Sequence, residues 1–408
     1  MKETGKNLGL YIHIPFCVRK CNYCDFLSQA STKEMQQQYV EALKKEIRSY
    51  KEQAKEYCVR TIYFGGGTPS ILDAELVQEI LQEIRKSFCI ATENVEITLE
   101  VNPKTVDAAK WKKYGQMGIN RVSIGLQSAH DRELQLLGRV HTFVDFCNCY
   151  QEARNAGFAN ISIDIISGLP DQTIEQYTDT LEKVVALEPE HISSYSLIVE
   201  EGTKFWDMFG PQTDGEERLP GEELDRAMYE QTKQFLKAHG YEQYEFSNYA
   251  KPGFESKHNS SYWTGVPYLG LGLGASSYFE GQRYCNVGEL PRYLGVSAEQ
   301  NLRVEQVEHI GKKEAMEEFM FLGLRRTIGV SKKEFAKRFG CSMEQVYGNV
   351  LEKLMAQKVL SVSGDQVSLT SYGVDVSNYV LSEFLLDGNY SEPYIMEQLD
   401  ALCWHISS

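Results

Sequence analysis

The chain lacks three features that would assign it to whole classes of protein. Its 408 residues contain no apolar run near the roughly 18 residues that cross a bilayer, so no transmembrane helix is predicted. The first residues are polar and do not form a targeting segment, so we expect a cytoplasmic protein. A basic surplus is also missing. The net charge of −15 argues against a nucleic-acid partner, which requires a basic surface.

The composition is that of a globular protein. Hydrophobic residues make up 42% and charged residues 24% of the chain, and its length predicts more than one domain. We find no low-complexity segment. The ten cysteines are mostly scattered, which favours reduced thiols over the dense disulfide framework of small secreted proteins.

Three cysteines near the start of the chain are closely spaced. Cys17, Cys21 and Cys24 form the pattern Cys-x3-Cys-x2-Cys. A zinc site would need a fourth ligand at a second spacing, and His13 is too close in sequence to supply it easily. A four-iron, four-sulfur cluster usually has four cysteine ligands, so three would leave one iron open to an outside ligand. We therefore predict a [4Fe-4S] cluster on these three thiolates.

Apolar, β-branched segments alternate with helical patterns from residue 8 to about 200. This alternation predicts a parallel sheet with right-handed crossovers, and six units make an incomplete version of the eight-unit barrel. The predicted fold class is therefore α/β, with a partial (β/α)6 barrel. The predicted strands are 8–14, 60–64, 95–101, 119–125, 160–166 and 191–198, and the predicted helices are 32–56, 73–87, 105–116, 142–156 and 173–187.

Polar residues lie in or directly after these strands. In barrels of this type, chemistry occurs at the carboxyl ends of the strands, so we expect one site there. The glycine turn at residues 65–68 lets a ligand approach the backbone, although it can also be only a tight turn. Glu100 and Asp164 lie within apolar strands, so each faces either a ligand or a structural salt bridge.

The second half of the chain has a different pattern. Residues 241–293 are rich in Gly, Tyr and Asn and show little periodicity. Helices are then predicted at 312–325, 331–339, 343–357 and 371–386, with short strands at 359–363 and 366–370. Helices followed by a small hairpin predict a mainly helical, winged-helix-like accessory domain. We divide the chain into a barrel (1–240), a Gly/Tyr-rich segment (241–311) and a carboxyl-terminal accessory domain (312–408).

A further cluster of side chains consists of His258, Asn259, Tyr262 and Trp263. Imidazole is a common axial ligand of haem iron, and flat aromatic side chains suit a porphyrin face. A structural histidine is the alternative, and the residues by themselves leave both interpretations open. The following segment, 270–275, matches the dinucleotide fingerprint G-x-G-x-x-A, but it lacks a preceding strand in a βαβ unit.

Five short sequence motifs distributed along the chain resemble the motifs of one protein family. Residues 11–17, 65–70, 123–128, 137–141 and 164–172 are together similar to the oxygen-independent coproporphyrinogen III oxidase family of radical S-adenosylmethionine (SAM) proteins. The resemblance covers nearly the whole chain. It implies that the open iron of the cluster binds SAM. It also implies SAM contacts from Tyr11, Tyr23, Gly66, Gly67, Thr68, Glu100, Gln127, Arg139 and Asp164.

Two branches of this family differ at a few positions. The oxidases have a fourth cysteine where this chain has Phe26, and they usually have a longer segment before the cluster. The haem chaperones have the Cys-Asp-Phe form and a His-Asn-x-x-Tyr-Trp motif, as here. The resemblance thus favours a chaperone that binds haem through His258, supported by Asn259, Tyr262 and Trp263.

The resemblance also implies partners and leaves alternatives open. A haem chaperone delivers haem to acceptor haemoproteins, reaches a membrane only through such a partner, and can form a homodimer. Oxidative decarboxylation of coproporphyrinogen III is the alternative function, and a radical SAM reaction on another substrate is a third. Enzymatic activity is therefore left open, and no catalytic residue is assigned.

Overall fold

The computed structural model describes residues 5–295 and 304–386. Six strand–helix units come first, as the sequence predicts. Two short 3-10 turns, Pro69–Ile71 and Glu216–Arg218, interrupt the connections. The elements up to the end of this region are β1 (Lys6–Ile14), α1 (Lys33–Ser49), β2 (Tyr57–Gly66), α2 (Ala74–Ser87), β3 (Glu96–Val101), α3 (Ala108–Met117), β4 (Arg121–Gln127), α4 (Asp131–Leu136), α5 (Phe143–Asn155), β5 (Ile161–Ser167), α6 (Ile174–Val185), β6 (His191–Ser196), α7 (Lys204–Phe209) and α8 (Glu222–Ala238).

Strands β1 to β6 are parallel and lie in sequence order in one sheet. Along each strand the side chains alternate, because successive residues of a strand point to opposite faces. The face toward the helices is apolar and forms the main hydrophobic core, with members such as Leu10, Phe64 and Ile124. The other face carries polar side chains, including Thr61, Glu96, Glu100, Arg121, Ser123, Asp164, His191 and Ser193. The interior of the partial barrel is therefore polar.

Residues 241–311 contribute more regular structure than their weak periodicity predicts. They contain β7 (Glu242–Gln243), β8 (Asn248–Ala250), α9 (Lys257–Trp263), β9 (Tyr268–Leu271), β10 (Ser276–Phe279), β11 (Gln282–Asn286), α10 (Leu290–Gly295) and β12 (Val304–His309). β9 pairs parallel to β1, and β8 pairs antiparallel to β6, so these strands extend the sheet at both edges. Most of them have two to five residues, too few to show a period. The division of the chain at residues 240 and 311 stays a prediction.

Two predicted helices differ from the structure. The helix predicted at 32–56 ends at Ser49, and turns follow until β2 begins at Tyr57. The residues in between favour helix, but the chain must return there to the sheet, and tertiary context overrides propensity. The helix predicted at 371–386 is broken at Val376, which has φ −113° and ψ 32°. The break places the residues on both sides of Val376 against the cavity described below.

The carboxyl-terminal region has its own hydrophobic core and a three-stranded sheet. A hairpin of two strands, Leu360–Ser363 and Gln366–Leu369, follows the helices, as in a winged-helix domain. The elements are α11 (Lys312–Gly323), β13 (Val330–Ser331), α12 (Lys332–Phe339), α13 (Met343–Ala356), β14 (Leu360–Ser363), β15 (Gln366–Leu369), α14 (Ser371–Asp375) and α15 (Ser377–Ser382). The predicted domain extends to 408, and residues 387–408 lie outside the described residues.

None of the helices in the described part of the chain combines the length and the apolar character needed to cross a membrane.

Candidate cluster and cofactor site

A cavity of about 700 Å³ lies at the carboxyl ends of the parallel strands. It contains residues from both halves of the chain, including Asp375 and Asn378 on either side of the helix break at Val376. Four residues of the predicted site are not in its lining: Tyr11, His258, Tyr262 and Trp263. The predicted residues that line it are Cys17, Cys21, Cys24, Tyr23, Gly66, Gly67, Thr68, Glu100, Gln127, Arg139, Asp164 and Asn259.

The loop that carries the three cysteines is anchored at both its base and its tip. At the base, Phe16 forms an isolated bridge with Gln29, and the Cys17 N–H donates to the Gln29 carbonyl at 3.0 Å. At the tip, the Asn22 N–H donates to the Leu137 carbonyl at 2.9 Å. The loop is therefore held between the end of β1 and the segment after α4.

A chain of hydrogen bonds connects two of the cysteines through the ends of β2 and β3. The Cys17 thiol lies 3.3 Å from the Thr68 hydroxyl, which also accepts from the Asn102 side-chain amide at 2.7 Å. The Asn102 oxygen accepts from Arg139 Nη2, and Arg139 Nη1 donates to the Cys21 sulfur at 3.7 Å. The parallel strands bring these groups together because their carboxyl ends share one edge of the sheet.

The three thiols have the chemistry of a cluster donor set. Burial raises the pKa of Cys17, and burial followed by the neighbouring Cys21 raises the pKa of Cys24 to about 12. Without a metal, these two thiols are therefore protonated, and cluster binding would release their protons. Within the described residues, no three His, Cys, Asp or Glu side chains group closely enough to hold a single metal ion. In an iron–sulfur cube each thiolate binds its own iron.

The glycine turn after β2 packs tightly against the cysteine loop. Gly66 has φ +103°, and a Cβ there would come within 2.4 Å of the His13 ring. A Cβ on Gly67 would lie 2.8 Å from the carbonyl oxygens of Ile14 and Phe16. The N–H groups of Gly67 and Thr68 already donate to these two carbonyls, at 2.9 and 2.8 Å. Contacts of this turn with a ligand would therefore come from its carbonyl oxygens.

A bulge at the end of β4 positions Gln127. The register between β4 and β5 shifts between Gly125 and Gln127, and Gln127 has φ +73°. Bulges redirect side chains at barrel rims, and this one leaves Gln127 in the cavity wall. A Cβ on Gly125 would lie 2.8 Å from Gln127 Nε2 and 3.0 Å from Arg139 Nη2, so glycine gives both side chains room.

The two strand carboxyls, Glu100 and Asp164, face the cavity. Burial raises the pKa of Glu100 to about 8, although the Tyr63 hydroxyl donates to it at 2.8 Å. Burial also raises the pKa of Asp164, which accepts from the Ser123 hydroxyl at 2.9 and 3.0 Å. Neither carboxyl forms a salt bridge with a described residue. They are therefore available for a ligand that brings hydroxyl or cationic groups.

The His258 motif occupies the opposite end of the barrel. His258 is buried, with Nδ1 2.8 Å from the Thr61 hydroxyl and Nε2 2.9 Å from the Tyr262 hydroxyl. Its ring stacks on Tyr63 with centroids 5.1 Å apart. The Glu96 carboxylate accepts from the N–H of His258 at 2.9 Å. Burial lowers the pKa of His258 to about 3, so it is a neutral side chain with both ring nitrogens in use.

The other motif residues lie near His258 at this end of the barrel, which we call the floor. Asn259 reaches the cavity, whereas Trp263 is buried under the Arg325 guanidinium, 4.8 Å from its ring. Tyr11 is outside the cavity lining, and its ring stacks on that of Tyr63 with the ring centroids 6.3 Å apart. The structure therefore brings the predicted cluster residues and the predicted SAM residues other than Tyr11 together at one end, and most of the His258 motif lies at the other.

Several cavity residues are missing from the predicted site. Arg121, Ser123 and Tyr195 line the cavity, and Asn102 links Thr68 to Arg139. The available signal was the alternation within the strands: residues 121, 123, 125 and 127 of β4 all face inward, and none is apolar. Reading each strand for its polar face would have found Arg121.

The chain is similar to known proteins in sequence and in fold. The family model of the radical SAM superfamily matches residues 11–184, and that of the HemN C-terminal domain matches residues 310–376. The chain has the same overall fold as the coproporphyrinogen III oxidase HemN of Escherichia coli, with a TM-score of 0.81 over 93% of this chain and 90% of that one. At 22% identity, this likeness shows the fold alone.

Sequence relatives are more specific. The heme chaperone HemW of Bacillus subtilis is 38% identical over 92% of this chain and 98% of its own length. The heme chaperone HemW of Escherichia coli is 34% identical over 93% and 98%, respectively. Both similarities extend across the barrel, the Gly/Tyr-rich segment and the accessory domain. The chain therefore belongs to the HemW family of radical SAM proteins.

Proposed function

We propose that this chain is a cytoplasmic haem chaperone that carries a [4Fe-4S] cluster, SAM and haem, and delivers haem to acceptor haemoproteins. The observation that carries the proposal is the single cavity in which the three thiols, the glycine turn, Gln127 and Arg139 meet. The names of the full-length relatives supply the haem function. The absence of a fourth cysteine at Phe26, which also lines the cavity, favours the chaperone over the oxidase.

In this proposal the cluster binds Cys17, Cys21 and Cys24, and SAM lies against its open iron. When bound, the cluster can supply one electron to the sulfonium of SAM. Arg139 and Asn102 hold the cluster end of the cavity in place through Cys21 and Thr68. Glu100 and Asp164 would accept hydrogen bonds from the hydroxyl groups of the nucleoside. Acceptor proteins, including membrane-associated ones, and a homodimer belong to the same proposal.

Haem would be held at the His258 motif. Because both ring nitrogens have partners, ligation of iron requires that Thr61 or Tyr262 release the ring. Tyr262 lies on the same helix as His258 and can change its rotamer without moving β2. Asn259, Tyr262 and Trp263 would then line the porphyrin.

Titration of anaerobically reconstituted protein with haem, followed by the Soret band, tests the haem function. His258→Ala should reduce haem loading at least tenfold and leave the absorbance of the cluster intact. His239→Ala is the matched control, because His239 is exposed at the end of α8. Haem loading of His258→Ala equal to that of the unmodified protein would remove His258 from the site.

A turnover assay separates the chaperone from the oxidase. The reconstituted protein is incubated with SAM, a reductant and coproporphyrinogen III, and the porphyrin products are analysed. We expect no protoporphyrinogen IX. Its formation at catalytic rates would show that the chain is an oxidase despite Phe26.

A further inference from the structure

The interior of the barrel contains a buried cation that the cluster and SAM residues do not use. Arg121 lies at the start of β4, is 2% exposed and lines the cavity. Its Nε has no hydrogen-bond partner, and no ion pair connects its guanidinium to another described residue. A buried guanidinium nitrogen without a partner costs free energy, because its N–H donor has left water without compensation.

The charge of Arg121 acts on two carboxyls and two histidines of the barrel interior. Glu100 and Asp164 are near enough to be stabilised by its charge, but burial dominates and raises the pKa of both. Glu100 is therefore largely protonated near neutral pH, when its pKa is about 8. His191 and His258, on the floor side, are kept neutral by burial with a contribution from the same charge. Only an ionised carboxyl could neutralise Arg121, and neither of these two is hydrogen-bonded to its Nε.

The position of Arg121 separates it from the predicted SAM carboxylate. It pairs with Thr98 near the start of the strands, whereas Gln127 ends β4 six residues later. At about 3.3 Å per residue, this distance is roughly 20 Å along the strand. The family resemblance implies that the amino and carboxylate groups of SAM bind the open iron, and the cysteines that would hold the cluster lie at the far end. Arg121 thus faces the deep part of the cavity.

We propose that Arg121 is an anion-binding residue in the deep part of the cavity, and that it holds a carboxylate of a second ligand bound beneath SAM. Resting on the proposed function, this ligand is haem and the carboxylate is a propionate. A guanidinium can bind a carboxylate through two parallel hydrogen bonds, so one propionate would satisfy the Nε donor that has no partner in the structure. The aromatic side chains Tyr63, Tyr195 and Phe246 in the same cavity give an apolar macrocycle surface to contact.

The test compares haem with its dimethyl ester, which lacks the charge but keeps the macrocycle and the iron. The full chain with its cluster should bind haem roughly 10- to 100-fold more tightly than the ester, as expected for losing a charged hydrogen-bonded pair. Arg121→Gln should remove this preference by weakening haem binding alone. Arg132→Gln, a change at an exposed arginine on α4, should keep it.

Each other outcome is decisive. Equal binding of haem and ester by the unmodified protein, or an unchanged preference in Arg121→Gln, overturns the proposal and leaves the haem function intact. No haem binding by the unmodified protein overturns both. If Arg121→Gln weakens SAM binding and keeps the haem preference, the anion is the carboxylate of SAM, and the proposal is wrong.

A folding defect has its own control. Cluster content and the thermal melting temperature are measured for each variant. Arg121→Lys keeps the charge and loses the two-pronged geometry, so it should fold and show an intermediate preference for haem over the ester. An undiminished preference for haem over the ester in Arg121→Lys would contradict the assignment. The same preference in Arg121→Gln, with a normal melting temperature, would also contradict it.

Discussion

The two ends of the barrel interior differ in how well their polar groups are satisfied. At the floor, His258 uses both ring nitrogens, and Glu96 accepts from two backbone N–H groups of α9, those of Lys257 and His258. At the carboxyl end, buried thiols have raised pKa values, and burial raises the pKa of Glu100 to about 8. Between the two ends, the Nε of Arg121 lacks a hydrogen-bond partner. Satisfied groups hold a fold together, whereas incompletely satisfied ones are prepared for ligands. The comparison predicts that changes at the two ends have different consequences.

The largest effect should follow from removing a cluster ligand. Changing Cys17, Cys21 or Cys24 to Ala should abolish cluster reconstitution, because a cube with two protein thiolates has lost a covalent anchor. Iron and acid-labile sulfide are measured after anaerobic reconstitution. Cys89→Ala is the control, since Cys89 lies between α2 and β3 and not in the cavity lining. Full iron content in any of the three variants would exclude that cysteine as a ligand.

The next effect concerns Glu100 and depends on pH. Its pKa is about 8 in the folded chain against 4.5 ordinarily, so the folded state binds more protons than the unfolded state between these values. Stability of the unmodified apo-protein should therefore fall as pH rises from 4.5 to 8, by up to about 1.4 kcal/mol per pH unit. Glu100→Gln should remove this loss.

Measuring the free energy of unfolding of both proteins at pH 5 and pH 9 decides this. The variant should gain stability relative to the unmodified chain mainly at pH 9. A difference that is equal at both pH values would contradict the burial of an ionisable Glu100. The same substitution at Glu93, an exposed residue between α2 and β3, controls for the general effect of removing a carboxyl.

At the floor, His258→Ala should reduce stability and keep the cluster. It leaves the hydroxyls of Thr61 and Tyr262 without their partner and opens a cavity beneath Tyr63, for a loss of about 2–4 kcal/mol. The loss should be smaller at pH 4. There the depressed pKa of His258, about 3, already costs the unmodified protein stability, because the unfolded histidine binds a proton below 6.5. Denaturant unfolding at pH 7 and pH 4 measures both values.

The carboxyl end of the barrel could be predicted from the sequence more completely than the floor. The six strand–helix units have strong periodicity, and the parallel sheet brings their carboxyl ends to one edge, so Cys17, Thr68 and Gln127 could be placed together from sequence. Local order does not reveal how distant segments pack. The position of α9 under the barrel depends on the pairing of β9 with β1, whose paired residues are 259 positions apart in sequence. Neither strand has a sequence pattern that predicts this partner.

The polar interior of the barrel was also difficult to predict from the sequence. Arg121 reads as a surface residue at the start of a strand, and only the inward direction of its neighbours Ser123 and Gly125 makes it a buried cation. The break at Val376 was equally hidden, because residues 371–386 favour a continuous helix and the cavity that they approach is formed mainly by the barrel. Both features arise from tertiary contacts.

The smallest effect should come from a pair of matched substitutions, Tyr262→Phe at the floor and Tyr63→Phe at the cavity. Each removes one hydroxyl and its hydrogen bond, to His258 or to Glu100. Tyr262→Phe should lower the free energy of unfolding by about 1 kcal/mol at neutral pH and leave SAM affinity unchanged. It should do so because this bond stabilises the haem-free fold and lies outside the proposed SAM residues.

Tyr63→Phe should act on the site instead. The hydroxyl of Tyr63 stabilises ionised Glu100, so its loss should raise the pKa of Glu100 further and move the pH dependence of stability to higher pH. Stability at neutral pH should change less than in Tyr262→Phe, because Glu100 is then protonated in both proteins. SAM affinity, measured by calorimetry on reconstituted protein, should respond in Tyr63→Phe and not in Tyr262→Phe. The reverse pattern would mean that the His258 end takes part in SAM binding.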